Sequence, residues 1–234
     1  MAIAFVTNWT AVAAGTTALN SNPSGTQADL LLFANAALTS DFTAGKATPT
    51  TLTYAGTAVN DKGYSNSGGA VDALIVRALH LGTHGITGSN NLVLTQQGGA
   101  YGGGPVAAYA FLVGVHADIW DDTSIQADDT IGTSVSYTVP TVAGSWALTV
   151  NGDFGDTAHT ISGTGAVEDY DGAAVNSQSL QCGHTVATGT SHVLGFTGAA
   201  NIFGMGVELL EAVAAATGGR GPLIAGFRNR LVIA

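Results

Sequence analysis

Residues 105–115, PVAAYAFLVGV, run for eleven positions without a charged or strongly polar side chain, with Gly98, Gly99, Gly102, Gly103 and Gly104 before them and His116, Ala117 and Asp118 after. Eleven residues are too few to cross a bilayer, which takes about 20 in a helix. Val106, Tyr109, Phe111, Val113 and Val115 are β-branched or aromatic, the side chains that suit a pleated surface. Because the run is apolar at consecutive rather than alternate positions, it predicts a central strand covered on both faces. The fold must therefore supply a layer above and a layer below it.

Shorter strand-like runs recur on either side, separated by Gly, Asn, Ser and Pro clusters: 2–7, 30–36, 51–59 (two short strands meeting at Gly56), 91–97, 133–140, 145–154, 179–182, 191–197 and 205–210. The run 71–79, VDALIVRAL, fits a strand or a short helix by periodicity, and its surroundings favour the strand. Residues 60–69 and 155–172 carry little apolar content and read as loops. Val135, Tyr137 and Val139, and Trp146, Leu148 and Val150, alternate with polar residues; these six are expected to face inward and Ser136, Thr138 and Thr149 outward. The whole predicts an all-β, antiparallel β-sandwich, jelly-roll-like, over residues 1–212, with a linker and an extended C-terminal arm over 213–234.

Composition narrows the setting. With 46% hydrophobic residues the chain has enough apolar surface for a core, so its 9% charged content does not indicate disorder. Cys182 is the single cysteine, which excludes an intrachain disulfide. No window of eighteen apolar residues occurs, so membrane insertion is not expected, and the N-terminus MAIAFVTNWT lacks the pattern of a signal peptide. A net charge of −10 argues against nucleic acid, whose phosphates would be repelled.

The succession ADLLLFANA (28–36), LTYAGTAV (52–59), VDALIVRAL (71–79), NLVLTQ (91–96), VAAYAFLVGV (106–115) with a following D-x-x-D-D, and SVSYTVPTVAGSWALTV (134–150) resembles a β-sandwich unit of tailed-bacteriophage virion proteins and some bacterial surface proteins. The likeness covers roughly residues 25–212. In that group a D-L-L strand is followed by a t-y-G-G-x-a-M segment; here Ala55 replaces the first Gly and Val59 stands near the Met. The resemblance implies a fold and a virion setting, and carries no catalytic residue or cofactor with it. The implied function is that of a non-enzymatic structural protein on the particle exterior, as a head decoration, head fibre or tail-associated subunit, made without a signal peptide. Its partners would be copies of itself and other virion proteins. The alternative is a receptor-binding or adhesin module for host surface glycan.

Four groups of residues are candidates for chemistry or contact. Residues 118–171 hold ten of the sixteen acids and no Lys or Arg. Asp118, Asp121 and Asp122, converging with acids from 153–171, are the candidate ligands of a Ca²⁺ ion; the spacing is not that of an EF-hand, and solvated, turn-capping carboxylates are the alternative. Trp120, beside two of those acids, is the candidate glycan platform, against a loop aromatic folded over the sandwich edge. His80 and His84 have the i, i+4 spacing of a zinc pair, but Gly82 and Gly85 disfavour the helix it needs. No G-x-S-x-G elbow or phosphate loop is present.

The last group is the tail. The acids all lie between Asp29 and Glu211, whereas Arg220, Arg228 and Arg230 are half of the six basic residues. With Leu223, Ile224, Phe227, Leu231 and Ile233 they make a cationic, apolar segment after the small-residue stretch 213–219. Its charge complements the acidic body, so it is expected to act as an assembly arm on a neighbouring subunit; a final strand of the same sandwich is the alternative.

Overall fold

The computed structural model of the chain describes residues 2–12, 18–21, 28–38, 48–66, 72–96, 106–120, 126–154, 159–175 and 178–212. In chain order the strands are β1 (Ala4–Ala11), β2 (Ala18–Ser21), β3 (Leu30–Leu38), β4 (Pro49–Tyr54), β5 (Thr57–Ala58), β6 (Asn60–Asn66), β7 (Asp72–His80) and β8 (Leu92–Gln96). They continue with β9 (Val106–Val113), β10 (Val115–Trp120), β11 (Gln126–Pro140), β12 (Trp146–Phe154), β13 (Thr160–Ser162), β14 (Val167–Val175), β15 (Gln178–Val186) and β16 (Ser191–Glu211). The fold is all-β and antiparallel, interrupted among the described residues by one turn of 3₁₀ helix at Gly82–His84.

The middle sheet runs β1-β9-β3-β7-β6. β9 lies between β1 and β3 and is buried on both faces, which is why its sequence is apolar at consecutive positions. One face, Val106, Ala108, Ala110 and Leu112, joins Leu30, Leu32, Leu74 and Val76 in a core shared with the sheet β10-β16-β12-β15-β14. That second sheet contributes Trp146, Leu148, Val150, Leu180, Phe203, Met205 and Val207. The other face, Ala107, Tyr109 and Phe111, joins Leu31 and Phe33 against Leu52, Tyr54, Leu92 and Leu94 of a small sheet, β2-β8-β4-β5. Each fully buried Leu or Phe contributes roughly 1.5–3 kcal/mol of transfer free energy, so β3 and β9 form the stable centre of the molecule.

The run 105–115 is not one strand to its end. At Gly114 (φ 78°) the chain leaves the middle sheet, and β10 begins in the next one. The Asp29 carboxylate fixes this step by accepting the backbone N–H groups of Gly114 at 2.5 Å and Val115 at 3.3 Å.

The second sheet also curls over itself. β11 follows β16 along most of its length, from Gln126 opposite Gly206 to Pro140 opposite Ser191, with register shifts on either side of Gly132. Beyond that point the two strands, joined by β13, lie over the outer face of their own sheet. Tyr137 and Val139 fit there because Gly206 has no side chain: a Cβ at that position would stand 2.8 Å from Tyr137 Cβ and 2.7 Å from Val139 Cγ2. A third core, Val135, Tyr137, Val139, Ala147, Leu194, Phe196 and Ile202, fills the interface.

Three expectations need correction. Residues 60–66 are strand β6, not loop; as an edge strand paired, among the described residues, only with β7, the segment NDKGYSN needs no apolar face. The interval 155–172 likewise contains β13 and the start of β14, another edge strand whose acids tolerate solvent. Thr149 is fully buried rather than outward-exposed, because the curled β11/β16 ribbon covers the outer face of β12. Val135, Tyr137, Val139, Trp146, Leu148 and Val150 are all buried, and Ser136 and Thr138 are exposed.

Candidate functional site

The curl creates a buried polar layer. Period-two alternation on β12 sets Trp146, Leu148 and Val150 into the central core and Thr149, Asn151 and Asp153 against the ribbon. β15 adds Ser179, Gln181 and Thr185 to the same layer. The Tyr137 hydroxyl donates to Asn151 Oδ1 at 3.0 Å, Asn151 Nδ2 donates to Thr149 Oγ1 at 2.9 Å, and Thr149 Oγ1 donates to the Met205 carbonyl at 3.2 Å. The ribbon is thereby tied to the sheet by hydrogen bonds as well as by apolar packing.

His159 sits at the centre of the layer, at the entry to β13 and against Gly198, where a Cβ would come within 2.7 Å of His159 Cδ2. Its Nε2 lies 2.6 Å from Asp153 Oδ2 and its Nδ1 3.5 Å from Asp171 Oδ1, the second an ion-pair separation rather than a hydrogen bond. The His159 and Asp153 side chains are fully buried. Burial pulls the imidazole pKa down, but the hydrogen bond and charge of Asp153, with Asp171 behind it, outweigh that effect and raise the pKa above its usual 6.5. This environment favours the imidazolium, held between two carboxylates, and removing one partner of such a buried ion pair leaves an uncompensated charge. Asp153 Oδ1 and Gln181 Oε1 are buried acceptors without a hydrogen bond among the described residues.

A second histidine–carboxylate pair lies at the sandwich rim. A register shift between Glu168 and Tyr170 inserts Asp169 as an extra residue in β14, and its Oδ2 reaches His184 Nδ1 at 2.7 Å. The His184 ring stacks on Trp146, with centroids 3.8 Å apart and planes 19° from parallel, and Phe5 packs on both rings. Beside this cluster Val167 and Val186 are 50% and 53% exposed.

The His159 pair ties the ribbon to its sheet, and the His184 ring packs against Phe5 of the middle sheet. Burial, with Asp169 nearby, pushes the Cys182 thiol well above its ordinary pKa, so it stays protonated and is a poor nucleophile. Burial, with Cys182 and Asp171, pushes the Tyr170 phenol to about 12. His80 is committed on both nitrogens: Nδ1 accepts the Thr83 N–H at 3.1 Å, which leaves Nε2–H to donate to the Val115 carbonyl at 3.3 Å. The adjoining cleft, lined by Asn60, Thr83, His84 and Ala117, measures about 160 Å³, below the roughly 300 Å³ of a small-molecule site.

Of the residues singled out in the sequence, Asp118 and Trp120 have their backbones in β10, with Trp120 opposite Leu209, and their side chains lie outside the described residues. Asp121, Asp122 and the whole arm, Arg220, Leu223, Ile224, Phe227, Arg228, Arg230, Leu231 and Ile233, also lie outside them. The expected convergence of Asp118, Asp121 and Asp122 with the acids of 153–171 rests on side chains outside the described residues. Asp153 stands opposite Ile202 and Trp120 opposite Leu209, seven residues or roughly 23 Å apart along β16. Asp153 and Asp171 face His159, and Asp169 faces His184. Among the described residues no three His, Cys, Asp or Glu side chains cluster as a metal site. The sequence alone does not single out the buried pairs, although alternation from Trp146 puts Asp153 on the face of Thr149 and Asn151; the missing piece is the layer above. Set against protein-family models, curated proteins and solved structures, the chain matches none of them.

Proposed function

We propose that this chain is a structural subunit of a tailed-phage virion, displayed on the particle exterior, with 213–234 attaching it to copies of itself or to neighbouring virion proteins. The observation that carries the reading is the division of labour along the chain. The body turns the His159–Asp153 pair inward, where it clamps the ribbon to its sheet, and the His184–Asp169 pair joins neighbouring strands at the rim. The cationic, apolar segment after Glu211 is the part whose composition calls for a partner. A layered all-β body with a buried polar clamp under its ribbon suits a mechanical role, and the sequence resemblance to phage β-sandwich units points the same way.

Negative-stain imaging of purified particles with gold-labelled antibody to the body tests this. Regular labelling on head or tail is the expected result. Particles without label, in a lysate where the chain is abundant and free, would overturn the proposal. Saturable binding of the purified chain to a host glycan, lost in Trp120→Ala, would favour the receptor-binding alternative.

A further inference from the structure

We propose that the segment 227–233 of a second copy docks as an antiparallel strand on the free edge of β14, its arginines against Glu168 and Asp171 and its apolar face against Val167 and Tyr170. The inference rests on the arm reading above and names the surface that receives the arm.

Two observations converge on β14. It ends its sheet: β15 pairs with one edge, and no described strand pairs with the other. It is also divided by face. Glu168 and Asp171 stand opposite Gly183 and Gln181 on the outer face, and Val167 and Tyr170 stand opposite His184 and Cys182 on the core-facing side. The register shift at Asp169 brings Glu168 and Asp171 to the spacing of residues two apart, about 6.6 Å. Glu168 is exposed, the Asp171 side chain is 32% exposed and Val167 is 50% exposed, so both faces can be reached.

The sequence FRNRLVI at 227–233 has the same division. As a strand it puts Arg228 and Arg230, two residues apart, on one face with Val232, and Phe227, Leu231 and Ile233 on the other with Asn229. The spacing of the arginines equals that of the two acids, and the apolar face falls on the side where Val167 is left half open. Carboxylates on an edge strand discourage indiscriminate pairing, and they favour a cationic partner strand. Of the other edge strands, β1, β2, β5, β6 and β10 carry at most one acid each, and the two of β11, Asp128 and Asp129, are adjacent rather than two apart.

The geometry favours a second copy over the same chain. β16 ends at Glu211 at the end of the sheet where β14 begins, three strands away. An arm of the same chain crossing there would run parallel to β14, the weaker pairing; to run antiparallel, its fifteen linking residues, 212–226, would have to span roughly 33 Å, well beyond the roughly 21 Å at which such a linker relaxes. The arm of a second copy approaches in either direction.

The full-length chain tests this by mass and by cross-linking. Glu168→Arg alone, and Arg228→Glu with Arg230→Glu, are each expected to weaken self-association about tenfold or more, and all three changes combined to restore it. Glu168→Cys with Arg230→Cys should form a disulfide between two chains, while buried Cys182 stays unreacted. Loss of association on deleting 220–234, with neither weakening in Glu168→Arg nor cross-linking at 168, would overturn β14 as the receiving edge while leaving the arm reading intact. A cross-link within one chain would overturn the second copy as donor. Unchanged association after the deletion would overturn both.

Discussion

Replacing Asp153 by asparagine keeps the shape of the side chain and removes the charge that faces His159. Breaking a buried ion pair from one side costs about 3–5 kcal/mol. Asp171 remains 3.5 Å from the ring on the other side, so we expect the lower end, about 3 kcal/mol, at pH 6. For a chain of this size that corresponds to a fall in melting temperature of roughly 6–12 °C. The pH dependence has a definite sign. The folded-state pKa of His159 is raised above 6.5, so its contribution is complete below about pH 6.5 and is lost as pH rises through the raised value. A neutral amide in place of the Asp153 carboxylate removes its share of that rise and leaves only that of Asp171, so the variant's slope is shallower. Urea denaturation of both proteins from pH 6 to 9 should show the gap widest at pH 6 and narrowing toward alkaline pH. A gap that stays constant, or widens with pH, would refute a charged imidazole in the buried layer.

Three further substitutions probe separate parts of the fold. Ala55 occupies the left-handed region at φ 51° in the turn between β4 and β5, which costs a residue with a Cβ about 1–2 kcal/mol. After the greater unfolded-state entropy of glycine is subtracted, Ala55→Gly should stabilise by roughly 0.5–1 kcal/mol, seen as a higher urea midpoint; a lower midpoint would contradict it. Tyr137→Phe leaves the buried Asn151 Oδ1 without its donor and should cost about 1–3 kcal/mol in the same measurement, and a neutral result would mean that the ribbon is held by apolar packing alone. Trp146→Ala removes a ring packed on Phe5 and His184 and should cost about 3–5 kcal/mol with loss of near-ultraviolet dichroism; a cost under about 1 kcal/mol would place the ring outside the core.

Where the sequence can and cannot be read has physical causes. The layered centre is legible because β3 and β9 are apolar on both faces, and only a covered strand tolerates that. Trp146, Leu148 and Val150 are legible because alternation marks an inward face. The edge strands β6 and β14 are not, since an edge strand keeps its fold through one partner's hydrogen bonds and needs little apolar content. Thr149 reads as solvent-facing because local alternation separates two faces without stating what covers each; the covering layer comes from β11 and β16, distant in sequence. The same gap hides the His159 pairs, whose partners lie six and twelve residues away on different strands. The acids of 153–171 look like spare charge until the register of β12, β14 and β15 brings histidines among them.

The central claim is that the body folds by itself and that the tail attaches it to other subunits. Deleting residues 220–234 from the chain expressed during infection, and assaying both the purified protein and the particles, tests this most directly. The account predicts unchanged strand-type circular dichroism and an unchanged melting temperature for the truncated body, together with its absence from purified particles. A truncated chain that fails to fold, or one that enters particles at the level of the full chain, would contradict it.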